Sequence, residues 1–273
     1  MPWLPELFST PALERLDEKW ELERLQAVPY YAGLMAGETE ALIKSFAGEP
    51  VMHDPLHGRI IGTRAFEAYV RYLADWLAER NMSFDPLDDV VTETRALEEV
   101  LLHLDGQAGR VEVPVAVVAD RQADGRLVEL RVYHSVAPVL GRGVHRPPML
   151  QRDPELRAPD VMAEYHRALV AGDVDAILAT FEPDGSVSES ARGNAVHEGL
   201  EGLRAFYREL FSSGGMALEY CAAIDTGPAF ALEYNVLEWG GAELAPEAGL
   251  SVYVRGASGK LAATRIYTDA APP

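Results

Sequence analysis

Two residues able to do proton chemistry, Tyr30 and Asp54, recur 135 positions later as Tyr165 and Glu189. Each pair bounds the same pattern, YYAGLMAGETEALIKSFAGEPVMHD in the first copy and YHRALVAGDVDAILATFEPDGSVSE in the second. Between the ends Ala36-Gly37 overlays Ala171-Gly172, Glu38 overlays Asp173 and Phe46 overlays Phe181. A carboxylate withdrawn from water loses solvation, so its pKa is expected to rise towards neutrality and fit it for general base or acid work. A phenol facing it can stabilise a developing oxyanion without carrying charge into the site. Together they suit proton movement next to a carbonyl, or the opening of a strained ring. Two further acids, Asp85 and Glu219, lie in matching strands, and facing inward each would complete a carboxylate pair with one member protonated.

The elements that must position these groups follow from the pattern. Val51 to Asp54 is a short strand stopped by Pro55, so Asp54 stands at a strand end, although Asp-Pro also terminates strands for purely local reasons. His53 and His57 alternate with Asp54 along this strand, which assigns them to another face. Phe66, Tyr69, Val70, Leu73 and Leu77 give a helical stripe, and Val- and Leu-rich runs separated by Asp105-Gly106 and Asp124-Gly125 then form an antiparallel meander. His134 ends the last of these strands on the face of Leu130 and Val132. The second copy replays the order, and Arg131 and Tyr133 return as Arg265 and Tyr267. A tandem duplication results. Residues 1–28 form an amphipathic helical arm carrying Leu13, Leu16 and Trp20, 29–140 the first domain, 141–158 a Pro/Arg-rich linker and 159–270 the second domain.

Composition narrows the function. With 24 basic and 43 acidic residues the net charge is -19, which opposes nucleic acid and anionic membrane through a repulsive long-range field. The single cysteine, Cys221, cannot form an internal disulfide. No apolar span long enough for a membrane helix occurs, and the N-terminus lacks the pattern of a secretory signal. The expectation is a soluble cytoplasmic protein. His53, Asp54 and His57 are the one cluster of metal-ligand types, and their spacing does not converge, so no metal is expected.

The sequence of helices, Gly-Glu/Asp, a strand ending in an acid, a helix and a four-strand meander closing on DGRLVELRVY resembles the nuclear transport factor 2-like superfamily. Within it the pattern is similar to SnoaL-like and ketosteroid isomerase-like enzymes. The resemblance implies an α+β fold of two tandem cone-shaped barrels, each with helices against a strongly curved, mostly antiparallel sheet. It also implies a cofactor-independent enzyme acting on a hydrophobic small molecule. Tyr30 falls where those enzymes place the hydrogen-bonding phenol, and Asp54 where they place the proton-abstracting base. Tyr165 and Glu189 take the same places in the second repeat. The acid that completes the oxyanion hole would fall near Ala116 or Val117, which are apolar. The pocket walls are expected to include His134, Val132, Leu130, Val117 and Trp76. Two alternatives stand beside an isomerase or cyclase. One is a polyether-type epoxide hydrolase, a family that includes tandem fusions, using the pairs Asp54 with Asp85 and Glu189 with Glu219. The other is a non-catalytic binding or interaction protein. Members of the superfamily often dimerise through the outer meander face, so the two repeats are expected to form a pseudo-dimer, with a homodimer also open.

Overall fold

The computed structural model describes residues 33–34, 39–106 and 109–269. The amphipathic arm and Tyr30 lie outside the described residues. In the first repeat a short helix α1 (Thr39–Lys44) precedes β1 (Val51–Asp54) and β2 (Gly58–Ile61), followed by α2 (Thr63–Ala78). Four long strands complete the unit: β3 (Ser83–Val91), β4 (Arg95–Gly106), β5 (Gly109–Arg121) and β6 (Leu127–His134). A single helical turn, α3 (Ala137–Leu140), follows. The second repeat has α4 (Asp160–Ala171), α5 (Val174–Ala179), β7 (Phe181–Glu189), β8 (Ala195–Glu198), α6 (Gly199–Leu210), β9 (Met216–Asp225), β10 (Ala229–Trp239), β11 (Ala242–Arg255) and β12 (Leu261–Tyr267).

Each repeat builds a six-stranded sheet of the same order, β2-β1-β6-β5-β4-β3 and β8-β7-β12-β11-β10-β9. The pairs β1 with β6 and β7 with β12 are parallel, and the others are antiparallel. Among the described residues β2 and β3, and their counterparts β8 and β9, are the edges, so each unit is an open, mostly antiparallel sheet with helices against it, in the α+β arrangement expected. Helix α2 forms because Phe66, Tyr69, Val70 and Leu77 recur on one buried face. Its first N–H, from Thr63, reaches Glu49 Oε2 at 2.7 Å, which satisfies a donor that the helix itself leaves open. Gly62 precedes it at φ 88, a conformation that glycine adopts without Cβ strain.

Strands β4 and β5 read as nearly continuous hydrophobic runs through their centres because both faces are buried there. In β5, Val113, Val115 and Val117 enter the core of the first repeat, while Ala116 and Val118 enter a separate cluster shared between the repeats. That shared cluster joins Leu97 and Tyr133 of the first sheet to Ile224, Leu250, Val252 and Tyr267 of the second. At its heart Arg131, 0% exposed, forks onto Glu233 of the other repeat, Nε to Oε1 at 2.5 Å and Nη2 to Oε2 at 2.8 Å. The Tyr133 hydroxyl donates to the same Oε1 at 2.8 Å. The reciprocal clamp is present: Arg265 forks onto Glu99, with Nε to Oε1 at 2.7 Å, and the Tyr267 hydroxyl donates to Glu99 at 2.6 Å. The junction between the two repeats is thus built from the repeated Arg-x-Tyr and a glutamate of the facing sheet.

The stretch expected to be a linker is woven into this junction. Arg146, 7% exposed, donates from Nη1 to the Val132 carbonyl at 2.7 Å and stacks over the Tyr133 ring at 5.0 Å. Its own carbonyl accepts from Ala248 N–H at 2.9 Å.

Breaking one partner of a buried ion pair leaves an uncompensated charge. Arg131→Met is therefore expected to lower unfolding free energy by about 3–5 kcal/mol in urea titration. Adding Glu233→Gln, which removes the stranded charge and still accepts from Tyr133, should restore most of that loss. A single-variant loss below about 1 kcal/mol, the scale of exposed pairs, would show that the clamp does not hold the repeats together.

Candidate active site

Asp54 is the last residue of β1, and the chain turns immediately after it. Its Oδ1 accepts from the backbone N–H groups of Leu56 and His57, both at 2.9 Å, in the local turn that aspartate favours. The turn folds His57 back so that its Nδ1 lies 2.7 Å from the same oxygen. A carboxylate only accepts, so Nδ1 carries the proton and Nε2 is the free nitrogen of the neutral ring. Oδ2 accepts from the Tyr69 hydroxyl of α2 at 2.8 Å. His57 was expected on another face of the strand. The strand stops at Asp54, so the alternation behind that expectation no longer applies.

Asp54 is buried, and burial alone would push its pKa up. The hydrogen bond from His57, the charge of His134 when that ring is protonated, and the bonds from Tyr69 and the backbone oppose this and bring the value down to about 2. The expected rise towards neutrality is therefore corrected: four donors hold the carboxylate ionised. Its effect passes to the histidines. The hydrogen bond to Asp54 raises the His57 pKa. His134, at the end of β6, is shifted the other way: burial lowers its pKa, with Asp54 opposing. The Ser135 carbonyl accepts from His134 Nδ1 at 3.3 Å, which leaves Nε2 as the acceptor.

Asp54, His57, Tyr69, Tyr72, Trp76 and His134 all line one cavity, whose walls include Leu102, Leu104, Val113 and, from α3, Val139 and Leu140. Trp76 and His134 are among the lining residues. Leu130, Val132 and Val117 are not in the wall: they lie further back along their strands, packed within the core. Asp85 is also outside. Phe84 packs towards the core, so the alternation of the strand turns the Asp85 carboxyl outward, where it is 72% exposed and 2.9 Å from His103 Nε2.

The second repeat has a cavity in the corresponding place, lined by Glu189, Tyr165, Phe206, Tyr234, Ser251 and Tyr253. Its chemistry differs. Glu189 lies 3.3 Å from His197 Nε2 and 3.7 Å from Arg192 Nε. Aligning Gly62 with Gly199 puts Phe206 where Tyr69 stands, so the phenol that steadies Asp54 is missing. The Tyr165 hydroxyl instead shares a hydrogen bond with Tyr207 at 2.8 Å, and burial raises the pKa of both. Glu219 faces away from this cavity, into an outer groove with Arg152 and Arg157, and accepts from Asn235 Nδ2 at 3.1 Å.

Sequence reasoning missed His57 and Tyr69 as partners of Asp54. The signal for the first was Asp-Pro-x-His, a turn that returns the fourth residue to the first. Tyr69 carried none beyond its place on the helical stripe, since a core tyrosine reads the same way.

Residues 162–264 match the SnoaL-like domain family. No curated protein sequence matches the chain. Similar solved structures include a SnoaL-like protein of unknown function from Burkholderia thailandensis, 20% identical, with TM-score 0.34, covering 39% of this chain and 90% of its own. Another, with a ketosteroid isomerase-like fold, is from Catenulispora acidiphila, 18% identical, TM-score 0.34, covering 41% and 86%. A third is the epoxide hydrolase/cyclase-like enzyme SalBIII of salinomycin pyran ring formation, 15% identical, TM-score 0.34, covering 42% and 89%. The family match thus falls within the second repeat, and the first repeat reproduces the strand order of that repeat.

Opposite shifts of the two histidines are measurable. In an NMR titration His57 should titrate above the ordinary value of about 6.5 and His134 below it. Asp54→Asn should lower both, because each is raised by that carboxylate. The sign for stability follows. The contribution of His57 is complete below about pH 6.5 and fades as pH rises through its folded value, whereas that of Asp54 is complete above about pH 4 and fades as pH falls towards 2. Coincident titrations near 6.5 would contradict the geometry.

Proposed function

We propose that the first cavity is a general acid/base site in which two histidines, tuned apart by Asp54, move protons on a hydrophobic small molecule. The observation that carries this reading is the Asp54 carboxylate held between His57 Nδ1 and the Tyr69 hydroxyl inside an otherwise apolar cavity. Groups whose environments push their pKa values in opposite directions divide into an acid and a base. His57, kept protonated by Asp54, donates towards a developing oxyanion. His134, kept neutral by burial, accepts the proton from the adjacent carbon through Nε2. The imidazolium that forms on His134 is stabilised by the nearby Asp54 charge, so the net charge of the site redistributes instead of rising.

This chemistry is that of an isomerase or cyclase, with an enolisable carbonyl compound as the substrate class and no cofactor. Asp54 acts by holding and charging His57 and not by abstracting the proton itself. The epoxide-opening alternative needs a second acid beside Asp54, and Asp85 is turned to solvent. Tyr165 and Glu189 would give the second cavity its own polar groups, arranged for a different task. A cavity that binds without reacting would serve the non-catalytic alternative, and the same experiment separates the two.

The test is deuterium uptake from heavy water into the α-carbons of a panel of hydrophobic ketones and enones, followed by NMR. Uptake should fall by about 10²–10⁴-fold in His57→Gln and in His134→Gln, and stay unchanged in Asp85→Asn. Its pH profile should be a bell, limited below by His134 and above by His57. Uptake that survives both histidine substitutions would sink the assignment.

A further inference from the structure

The second repeat holds a buried histidine that the acid/base reading of the first cavity does not use. His166, on α4, is 4% exposed, and both ring nitrogens are engaged by phenols. Nδ1 lies 2.6 Å from the Tyr220 hydroxyl and Nε2 lies 2.6 Å from the Tyr253 hydroxyl. The two tyrosines open in opposite directions. Tyr220, on β9, lines the outer groove formed with Arg152, Arg157 and Glu219. Tyr253, on β11, lines the interior cavity with Tyr165 and Glu189. A core histidine needs one satisfied nitrogen on each side, but it does not need its partners to end at solvent on one side and in a cavity on the other.

We propose that Tyr220, His166 and Tyr253 form a proton relay between the outer groove and the cavity of the second repeat. In the inward direction the Tyr253 hydroxyl gives its proton to a basic atom in the cavity. Tyr253 is reprotonated from His166 Nε2, Nδ1 takes the proton of Tyr220, and Tyr220 takes one from a solvent acid. One proton is gained in the cavity and one lost from solvent. The imidazole changes tautomer, from protonated Nε2 to protonated Nδ1, and no residue of the relay keeps a charge. An outward passage restores the first tautomer, which suits a site that takes up and returns a proton in alternation. Concerted transfer also fits the burial of the ring, which lowers its pKa to about 3 and so disfavours a charged intermediate. Ring packing keeps the path aligned: His166 meets Tyr220 at 5.2 Å and Tyr253 at 5.3 Å between centroids.

The relay is tested without a substrate, by the exchange of tyrosine hydroxyl protons with water in the full chain. The deuterium isotope shift on each 13C-labelled Cζ reports it. Tyr253 should exchange at least tenfold faster than Tyr165 and Tyr207, buried hydroxyls of the same repeat that, among the described residues, are hydrogen-bonded to each other and not to His166. Tyr220→Phe should slow Tyr253 at least tenfold and leave that pair unchanged. His166→Gln, which can still donate and accept but cannot shift between tautomers, should have the same effect. Equal exchange of Tyr253, Tyr165 and Tyr207 in the unaltered protein would overturn the relay, as would fast Tyr253 exchange that persists in Tyr220→Phe.

Discussion

Burying a guanidinium is costly, and the two-repeat architecture depends on how Arg131 and Arg265 meet that cost. Each is forked onto one glutamate of the other repeat, and each glutamate also accepts a tyrosine hydroxyl from the same strand as the arginine. The planar fork matches a carboxylate with two parallel bonds, which lysine cannot provide. Because the two clamps are equivalent, they fix the facing sheets in one register and leave the surrounding Val, Ala and Leu residues to supply the apolar area. The arrangement explains why the outer meander faces carry no solvent-adapted pattern: they face one another.

The clamp also reaches the site. Along β6, Arg131 and Tyr133 face the junction, while Val132 and His134 face the interior, as strand alternation requires. The strand that presents His134 to the cavity is therefore held from behind by Glu233 of the other repeat and by Arg146, whose Nη1 takes the Val132 carbonyl. A histidine positioned to about half an ångström is more useful than one on a loop, and here the second repeat contributes to that precision in the first. Fusion of the repeats into one chain makes the support permanent instead of concentration-dependent.

Much of the fold was legible because the duplication compares the chain with itself. Strand-ending acids, glycine before the long helix and the Val-rich meander occur in both copies, and each copy corroborates the other. Open sheet edges were not legible, since the same alternation serves a closed barrel and an open sheet. The site was legible in part. Asp54 and Glu189 were read at strand ends, His134 on a strand face, Tyr165 from the repeat and Trp76 from the resemblance, and all five line cavities, whereas Leu130, Val132 and Val117 had the right phase but sit deeper in the core. Phase says which face a residue occupies and not how far along the cone it lies. Asp85 and Glu219 fell on the opposite face because one step along a strand reverses direction. The proton affinity of Asp54 was misjudged for a different reason. Burial is readable from pattern, but the donors that converge on a buried group come from a turn, a helix and a neighbouring strand, and only the fold assembles them.

That convergence has a consequence for how the two cavities have come apart. An acid at a strand end can be kept reactive by leaving it poorly solvated, or kept ionised by surrounding it with donors, and no intermediate arrangement does both. The first repeat takes the second course: His57, Tyr69 and two backbone N–H groups lower the affinity of Asp54 for a proton, and the affected charge reappears as a raised pKa on His57. The second repeat has Phe206 in place of Tyr69 and a longer loop after the acid, so Glu189 meets His197 and Arg192 at its margin. The phenols of that repeat gather instead around Tyr165 and His166. A scaffold position shared by the two repeats, the acid at the end of the first strand of each sheet, thus supports two electrostatic designs. What separates them is the loop that follows the acid and one turn of the helix above it.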